Sequence, residues 1–403
     1  MTLSHSGLTV THPPDALLPS GVAGSLGRAT SRDAFCENGL SMGSAHLARG
    51  GAARRGATIV LALLSLSCGP ASVTDLLLRC TGWSQGTAPR SPGPVVVAHD
   101  AAWATADPAG AYMVYRSGQR LHVQRTATGE ERVLDLAGDV YLFLGAVEGG
   151  RFVAFYSDRN QGLQEYVLVD AERCEWRALG IVVSTTDPVI GYSKVSAMSL
   201  AGDRLFYAIF GCAHALAQER LLDLRDSSVL AAEATAHLVT EAKLDGERIV
   251  WLQQGADGVT PGVTFWDAGD GQFLTIDLPF KAWPKGLSLS GTRAVWTDSR
   301  SVSTSPPNTD IYMLDAASGT ITQLTTDGRT QEQPSILGHL VAWSDNRGGD
   351  FDIRVRDLDT GEERVVAGTP DDERAPLLTA SGIFWQVAGP EGVTVWLDAG
   401  VRP

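Results

Sequence analysis

Cysteine is scarce in this chain, with five in 403 residues, and none of them falls in a Cys-x-x-Cys pair. The histidines from position 69 onward, His99, His122, His214, His237 and His339, stand singly, without a second histidine at the spacing a zinc site uses. Aspartates crowd at Asp345, Asp350 and Asp352, and again at Asp357 and Asp359, but neither stretch fits the calcium loop of about twelve residues, which closes on a bidentate glutamate. No metal site and no cofactor are therefore expected. The chain has no Gly-x-Ser-x-Gly elbow, so the nucleophile of an α/β-hydrolase is missing and no catalytic residue is assigned. Basic residues are in deficit: 32 Lys and Arg against 46 Asp and Glu give a formal charge of −14. Without a basic run laced with aromatics, that charge repels phosphate backbones and argues against a nucleic-acid partner. Long apolar runs are absent as well. The best, Ala57 to Ser67, has eleven residues where a membrane span needs about 20.

What is present is a composition of 44% hydrophobic and 19% charged residues with 44 glycines and 10 tryptophans, enough for a core and for frequent turns. The clearest segment runs from Gln333 to Ala367. Four short apolar or alternating runs, Ser335 to Leu337, Leu340 to Ser344, Phe351 to Arg356 and Glu363 to Ala367, are separated by Gly, Asn and Asp clusters. This predicts a four-stranded antiparallel meander, which cannot bury both faces alone.

Copies of it supply the missing faces. An aromatic closes a short strand at Tyr115, Tyr156, Tyr207, Trp251, Trp296, Trp343 and Trp385, with spacings of 41, 51, 44, 45, 47 and 42 residues. A propeller blade takes roughly 40 to 50 residues, so seven anchors predict an all-β, seven-bladed β-propeller of four-stranded antiparallel blades. Six blades is the alternative, with the stretch around Tyr207 as the repeat to drop. The last repeat supplies only three strands, and Val95 to Ala98 is the spare apolar run that would close the ring beside Val393 to Leu397.

The repeats at Trp296 and Trp343, AVWTDSR and VAWSDNR followed by DIYMLDAASGTITQLTT and DIRVRDLDTGEERVVA, resemble the TolB-like, WD40-like propeller repeats of bacterial exported proteins. The resemblance covers about residues 95 to 399. It implies the fold more than a task. The chain departs from that family in replacing the usual Ser-Pro-Asp-Gly turn by pairs such as Ser290-Gly291 and Ser381-Gly382.

The remaining expectations follow the chain. Residues 1–41 read as a disordered or mis-assigned leader. Residues 42–68 read as a signal segment: Arg54 and Arg55, the apolar run, and Cys68 as the candidate for lipidation. Residues 69–93 read as a flexible linker and 94–400 as the propeller. The expected location is outside the cytoplasm, in the periplasm, the outer membrane or the cell surface, with membrane contact only through the lipid. Cys80, Cys174 and Cys212 remain, an odd number; the meander puts Cys174 and Cys212 on opposite faces, too far apart to bridge.

One polar motif recurs after the anchors: Ser157-Asp158-Arg159, Thr297-Asp298-Ser299-Arg300 and Ser344-Asp345-Asn346-Arg347. Regular stacking would project Asp158, Arg159, Asp298, Arg300, Asp345 and Arg347 at one face as a rim for a partner; the alternative is turn and inter-blade bonding. The functional expectation is a monomeric, non-catalytic protein-binding or scaffold module at the cell envelope. The rival is a lyase or hydrolase acting on polysaccharide or peptide at the central channel.

Overall fold

Strand, turn and strand succeed one another through the whole of the computed structural model, which describes residues 78–86, 93–118, 120–136, 140–158, 163–184, 193–211, 217–235, 237–254, 260–279, 282, 284–299, 308–390 and 392–402. The segments expected as leader and signal, Cys68 included, lie outside these residues, as do Arg159, Cys212 and Arg300. No helix among the described residues is long and apolar enough to cross a membrane.

Strands β1 (Leu78–Cys80) and β2 (Val95–Ala101) come first. Blade 1 is β3 (Trp103–Ala106), β4 (Tyr112–Ser117), β5 (Arg120–Arg125) and β6 (Glu131–Leu136), and blade 2 is β7 (Val140–Glu148), β8 (Arg151–Asp158), β9 (Leu163–Asp170) and β10 (Glu175–Ser184). Blade 3 is β11 (Ser193–Ala201), β12 (Arg204–Gly211), β13 (Ala217–Asp223) and β14 (Val229–Thr235); blade 4 is β15 (Leu238–Asp245), β16 (Arg248–Gln254), β17 (Pro261–Asp267) and β18 (Gln272–Asp277). Blade 5 is β19 (Lys285–Ser290), β20 (Arg293–Asp298), β21 (Asp310–Asp315) and β22 (Thr320–Gln323), and blade 6 is β23 (Gln331–Leu337), β24 (Leu340–Asp345), β25 (Asp352–Asp357) and β26 (Glu363–Ala367). Blade 7 takes β27 (Glu373–Thr379), β28 (Gly382–Gly389) and β29 (Gly392–Asp398) from the end of the chain and β2 from its beginning. Seven antiparallel blades, each with its strands in meander order, make an all-β propeller.

Burial explains the composition of each strand. Second strands sit between neighbouring blades and are covered on both faces, so Leu340–Asp345 is buried throughout and reads LVAWSD rather than alternating. The outermost strand of blade 5, TITQ, is mostly exposed. Seven hydrophobic clusters each bridge two adjacent blades. Trp343 packs with Val295 and Ile311 of blade 5, Trp296 with Val250 and Leu252 of blade 4, and Trp385 with Ala342 and Ile353 of blade 6. Each described anchor therefore faces the blade before it, and Tyr115 of blade 1 faces Phe384 and Leu397 of blade 7.

Closure works as the strand count requires. Val95 pairs with Leu397, Val96 with Trp396, Ala98 with Val395 and Ala101 with Val393, with bulges between. The stretch before it is more structured than a free linker: Leu78, Arg79 and Cys80 pair with Leu136, Asp135 and Leu134, extending blade 1 outward. Cys80 is joined by a disulfide to Cys174 in the turn after β9, 94 residues away. Trp83 then lies under the guanidinium groups of Arg125 and Arg132, 4.0 and 4.8 Å from its ring centre.

Candidate functional site

Strands β20 and β24 end in Thr297-Asp298 and Ser344-Asp345, the residues expected on a rim. Residues two apart on a strand share a face, so Asp345 falls beside Trp343. The Trp343 indole N–H donates to Asp345 Oδ2 at 2.8 Å, and Trp296 donates to Asp298 at 3.3 Å. Both aspartates are 0% exposed. Arg347 folds back onto Asp345: its main-chain amide and Nε donate to Oδ1, each at 2.9 Å, and Nη2 donates to Oδ2 at 2.7 Å. Burial works to raise the Asp345 pKa, but Arg347 and the indole outweigh it and hold the carboxyl below its usual range.

The hydroxyl beside each aspartate reaches the next blade. Ser344 Oγ accepts the Ala375 amide at 3.1 Å, and Thr297 Oγ1 accepts the Gln333 amide at 3.1 Å. Ala375 and Gln333 have φ of 52° and 56°, left-handed values that a residue with a Cβ rarely adopts, and the capping hydroxyls help hold them there. The motif thus ties anchor to strand end and blade to blade. This corrects the expected rim at Asp298 and Asp345, whose carboxylates turn inward. Arg347 keeps partial exposure but is also committed to Glu363 Oε1 at 2.9 Å. The side chain of Asp158 lies outside the described residues.

The first strands of the blades line a central channel. A cavity of about 340 Å³ runs along it, lined by residues of all seven blades. Leucine is its commonest wall residue, with Leu200, Leu244, Leu287 and Leu337 from four blades, among hydroxyl and amide side chains. The register picks out one level of the channel, the residue paired opposite the one just before each anchor: Thr105 opposite Val114, Ser199 opposite Phe206, Lys243 opposite Val250, Ser288 opposite Val295, Ser335 opposite Ala342, and Leu377 opposite Phe384. All six line the cavity.

Three of the hydroxyls at this level are latches. Ser199 Oγ accepts the Leu244 amide at 3.0 Å, Ser288 Oγ the Ile336 amide at 3.1 Å and Ser335 Oγ the Leu378 amide at 2.9 Å. Lys243 interrupts the series, and no hydrogen bond or ion pair engages it among the described residues. Lys243 keeps partial exposure in the channel, and desolvation by the surrounding walls pushes its ammonium pKa down, against the pull of the Glu241 charge. Glu241 is itself occupied by the Gly286 and Leu287 amides at 3.0 and 2.8 Å. Sequence reading missed Lys243; only the register shows it as the lone cation at a position that four other blades fill with Ser or Thr.

Among the described residues, no group of three or more His, Cys, Asp or Glu side chains is arranged to hold a metal ion. At the end of the channel reached by the turns after the first strands, carboxylates serve as latches. Asp107 accepts the amides of Tyr112 at 3.1 Å and of Gly149, in blade 2, at 3.2 Å. Glu148 accepts the Gly202 amide of blade 3. Burial raises the pKa of both, and for Glu148 the neighbouring Asp107 charge adds to the rise.

No protein-family model matches the chain, and no curated protein matches it. Solved structures match in fold. The β-propeller domain of the Trilobed protease from Pyrococcus furiosus, described as having an open velcro topology, aligns with a TM-score of 0.54 at 10% identity, over 73% of this chain and 94% of that one. An acylaminoacyl peptidase from Pyrococcus horikoshii aligns with a TM-score of 0.52 at 11% identity, over 73% of this chain and 48% of the peptidase. A prolyl endopeptidase gives 0.50 at 13% identity, over 77% of this chain and 46% of the enzyme. The chain thus spans about half the length of these two peptidases. At such identities the likeness is one of fold alone, and it does not single out TolB-like proteins.

Proposed function

We propose that this chain is an exported, non-catalytic binding module that takes its ligand in the central channel of the propeller. The observation that carries the reading is the channel itself. All seven blades converge on one largely apolar cavity with a single unpaired cation, while the motifs on the rim are spent on holding the blades together. Pockets that bind small molecules are commonly of this size and character, apolar with few polar groups. The Cys80–Cys174 disulfide supports export, since such bonds persist in oxidising compartments. Cys68 remains the proposed lipid attachment point.

Peptide mapping without reductant of protein purified from its native host tests this reading. The expected result is a linked Cys80–Cys174 peptide and an acylated Cys68 in the envelope fraction. Free thiols at Cys80 and Cys174 in a cytoplasmic fraction would overturn export. A second reading, a channel-centred enzyme, is favoured by the place of Lys243 on the channel wall, where desolvation lowers its pKa, and by the peptidases among the structural matches. Turnover of a peptide or oligosaccharide panel, lost in Lys243→Met, would establish that reading and overturn the non-catalytic one.

A further inference from the structure

We infer that the Lys243 level of the channel is a binding site for a small organic monoanion, a carboxylate carrying an apolar body. The inference rests on the channel reading above and names the class of ligand.

The argument starts from the latches. A serine hydroxyl has one proton and two lone pairs. Ser199, Ser288 and Ser335 each use a lone pair to accept an amide of the next blade. Among the described residues none of the three donates its proton, and Thr105 at the same level has no partner. Each of these four hydroxyls therefore has a hydrogen to give. Lys243 adds three more donors and the positive charge, and has no lone pair with which to cap an amide. The Leu289 amide, which corresponds to the capped amides of Leu244, Ile336 and Leu378, is left without the hydroxyl cap its counterparts have. Each hydroxyl also keeps a lone pair, so it is the Lys243 ammonium, a donor with no lone pair, that tips the level toward an acceptor-rich ligand.

Charge sets the ligand further. An ammonium partly withdrawn from water into the channel gains from a counter-charge, and the nearby carboxylate, Glu241, is committed to two backbone amides. One uncompensated cation balances one negative charge. A dianionic phosphate would leave a charge unmatched, whereas a carboxylate satisfies Lys243 and still accepts from the hydroxyls. The leucines together with Ile336, Phe384 and Val395 along the wall favour an apolar remainder for the ligand, and a cavity of about 340 Å³ admits a body of moderate length.

Isothermal titration calorimetry on the purified, disulfide-intact chain is the test, with sodium octanoate, octan-1-ol and inorganic phosphate as probes. Octanoate should bind, and the alcohol and phosphate should bind at least about tenfold more weakly, the worth of one charge-assisted hydrogen bond. Lys243→Met, which keeps the length of the side chain and removes its charge, should weaken octanoate by at least about tenfold and leave the alcohol unchanged. Lys243→Gln provides the same test should the methionine variant fail to fold. Equal octanoate affinity in wild type and variant, or phosphate binding as tight as octanoate, overturns the inference. Failure here leaves an exported binding module intact, because that reading falls only to the thiol mapping or to turnover.

Discussion

Blades 4 to 6 and the seam, taken as the arc from blade 7 through blades 1 and 2 to the edge of blade 3, are held by different means. In blades 4 to 6 the bonds repeat. Trp251, Trp296 and Trp343 are each buried, each donates its indole N–H to the residue two positions on (Gln253, Asp298 or Asp345), and the serine latches from blade 5 to 6 and from 6 to 7 are neutral, although Glu241 and Asp245 of blade 4 also accept amides of blade 5. At the seam the bonds join distant parts of the chain: β2 beside β29, Cys80 to Cys174, Ser381 to the Ala109 carbonyl, and Gln386 to the Ala104 carbonyl. The latches there are carboxylates, Asp107 buried and Glu148 partly buried. A repeat can stabilise each blade against its neighbour, but only contacts between the two ends of the chain can keep a ring from opening.

The strongest way to break this comparison is to remove the closing strand. A chain beginning at Pro94 and one beginning at Ala102 both lack the disulfide, so they differ only in β2. The first should unfold cooperatively as a monomer. The second exposes the whole edge of β29 and should associate or lose cooperativity, as seen by sedimentation and urea unfolding. Identical melting and oligomeric state would mean that β2 contributes nothing to the seam.

A smaller effect is expected from inside the repeat. Trp343→Ala removes a fully buried ring between blades 5 and 6 and leaves Asp345 without its indole donor. The expected cost is about 3–5 kcal/mol by chemical denaturation. A loss below about 1 kcal/mol would mean that the anchors do not carry the blade interfaces.

The same contrast explains what could be read from the sequence. The anchors, seven blades and closing strand were legible because each is a pattern of apolar residues with a period. The disulfide was not, because Cys80 sits in a Pro- and Gly-rich stretch whose pairing with β6 depends on three residues of register. The inward turn of Asp345 was legible in principle: Trp343 and Asp345 stand two apart in a strand and so share a face. It was obscured by the Asp-Arg pair that followed, which reads equally as a turn or a rim. Lys243 was hidden for a different reason. One lysine in an alternating strand carries no signal until the register aligns it with Thr105, Ser199, Ser288 and Ser335.

The smallest effect expected is at the carboxylate latches, and its sign follows from burial. Glu148 has its pKa raised above the usual 4.5, chiefly by desolvation and then by the charge of Asp107, with the Gly202 amide and Arg151 opposing. Folding therefore favours the protonated form. That contribution to stability is fully present below about pH 4.5 and is lost as pH rises through the raised pKa. Glu148→Gln keeps a neutral acceptor for the Gly202 amide at every pH. The variant should be the more stable protein at pH 7, and the two should converge as pH falls to 4.5 and below. A serine latch such as Ser335 titrates nowhere in this range, so Ser335→Ala should lower stability by an amount independent of pH. Urea unfolding of the three proteins across this range reads both slopes. A Glu148→Gln variant less stable than wild type at pH 7, or a gap that does not change with pH, would show that the carboxylate latches at the seam behave like the neutral ones in the repeat.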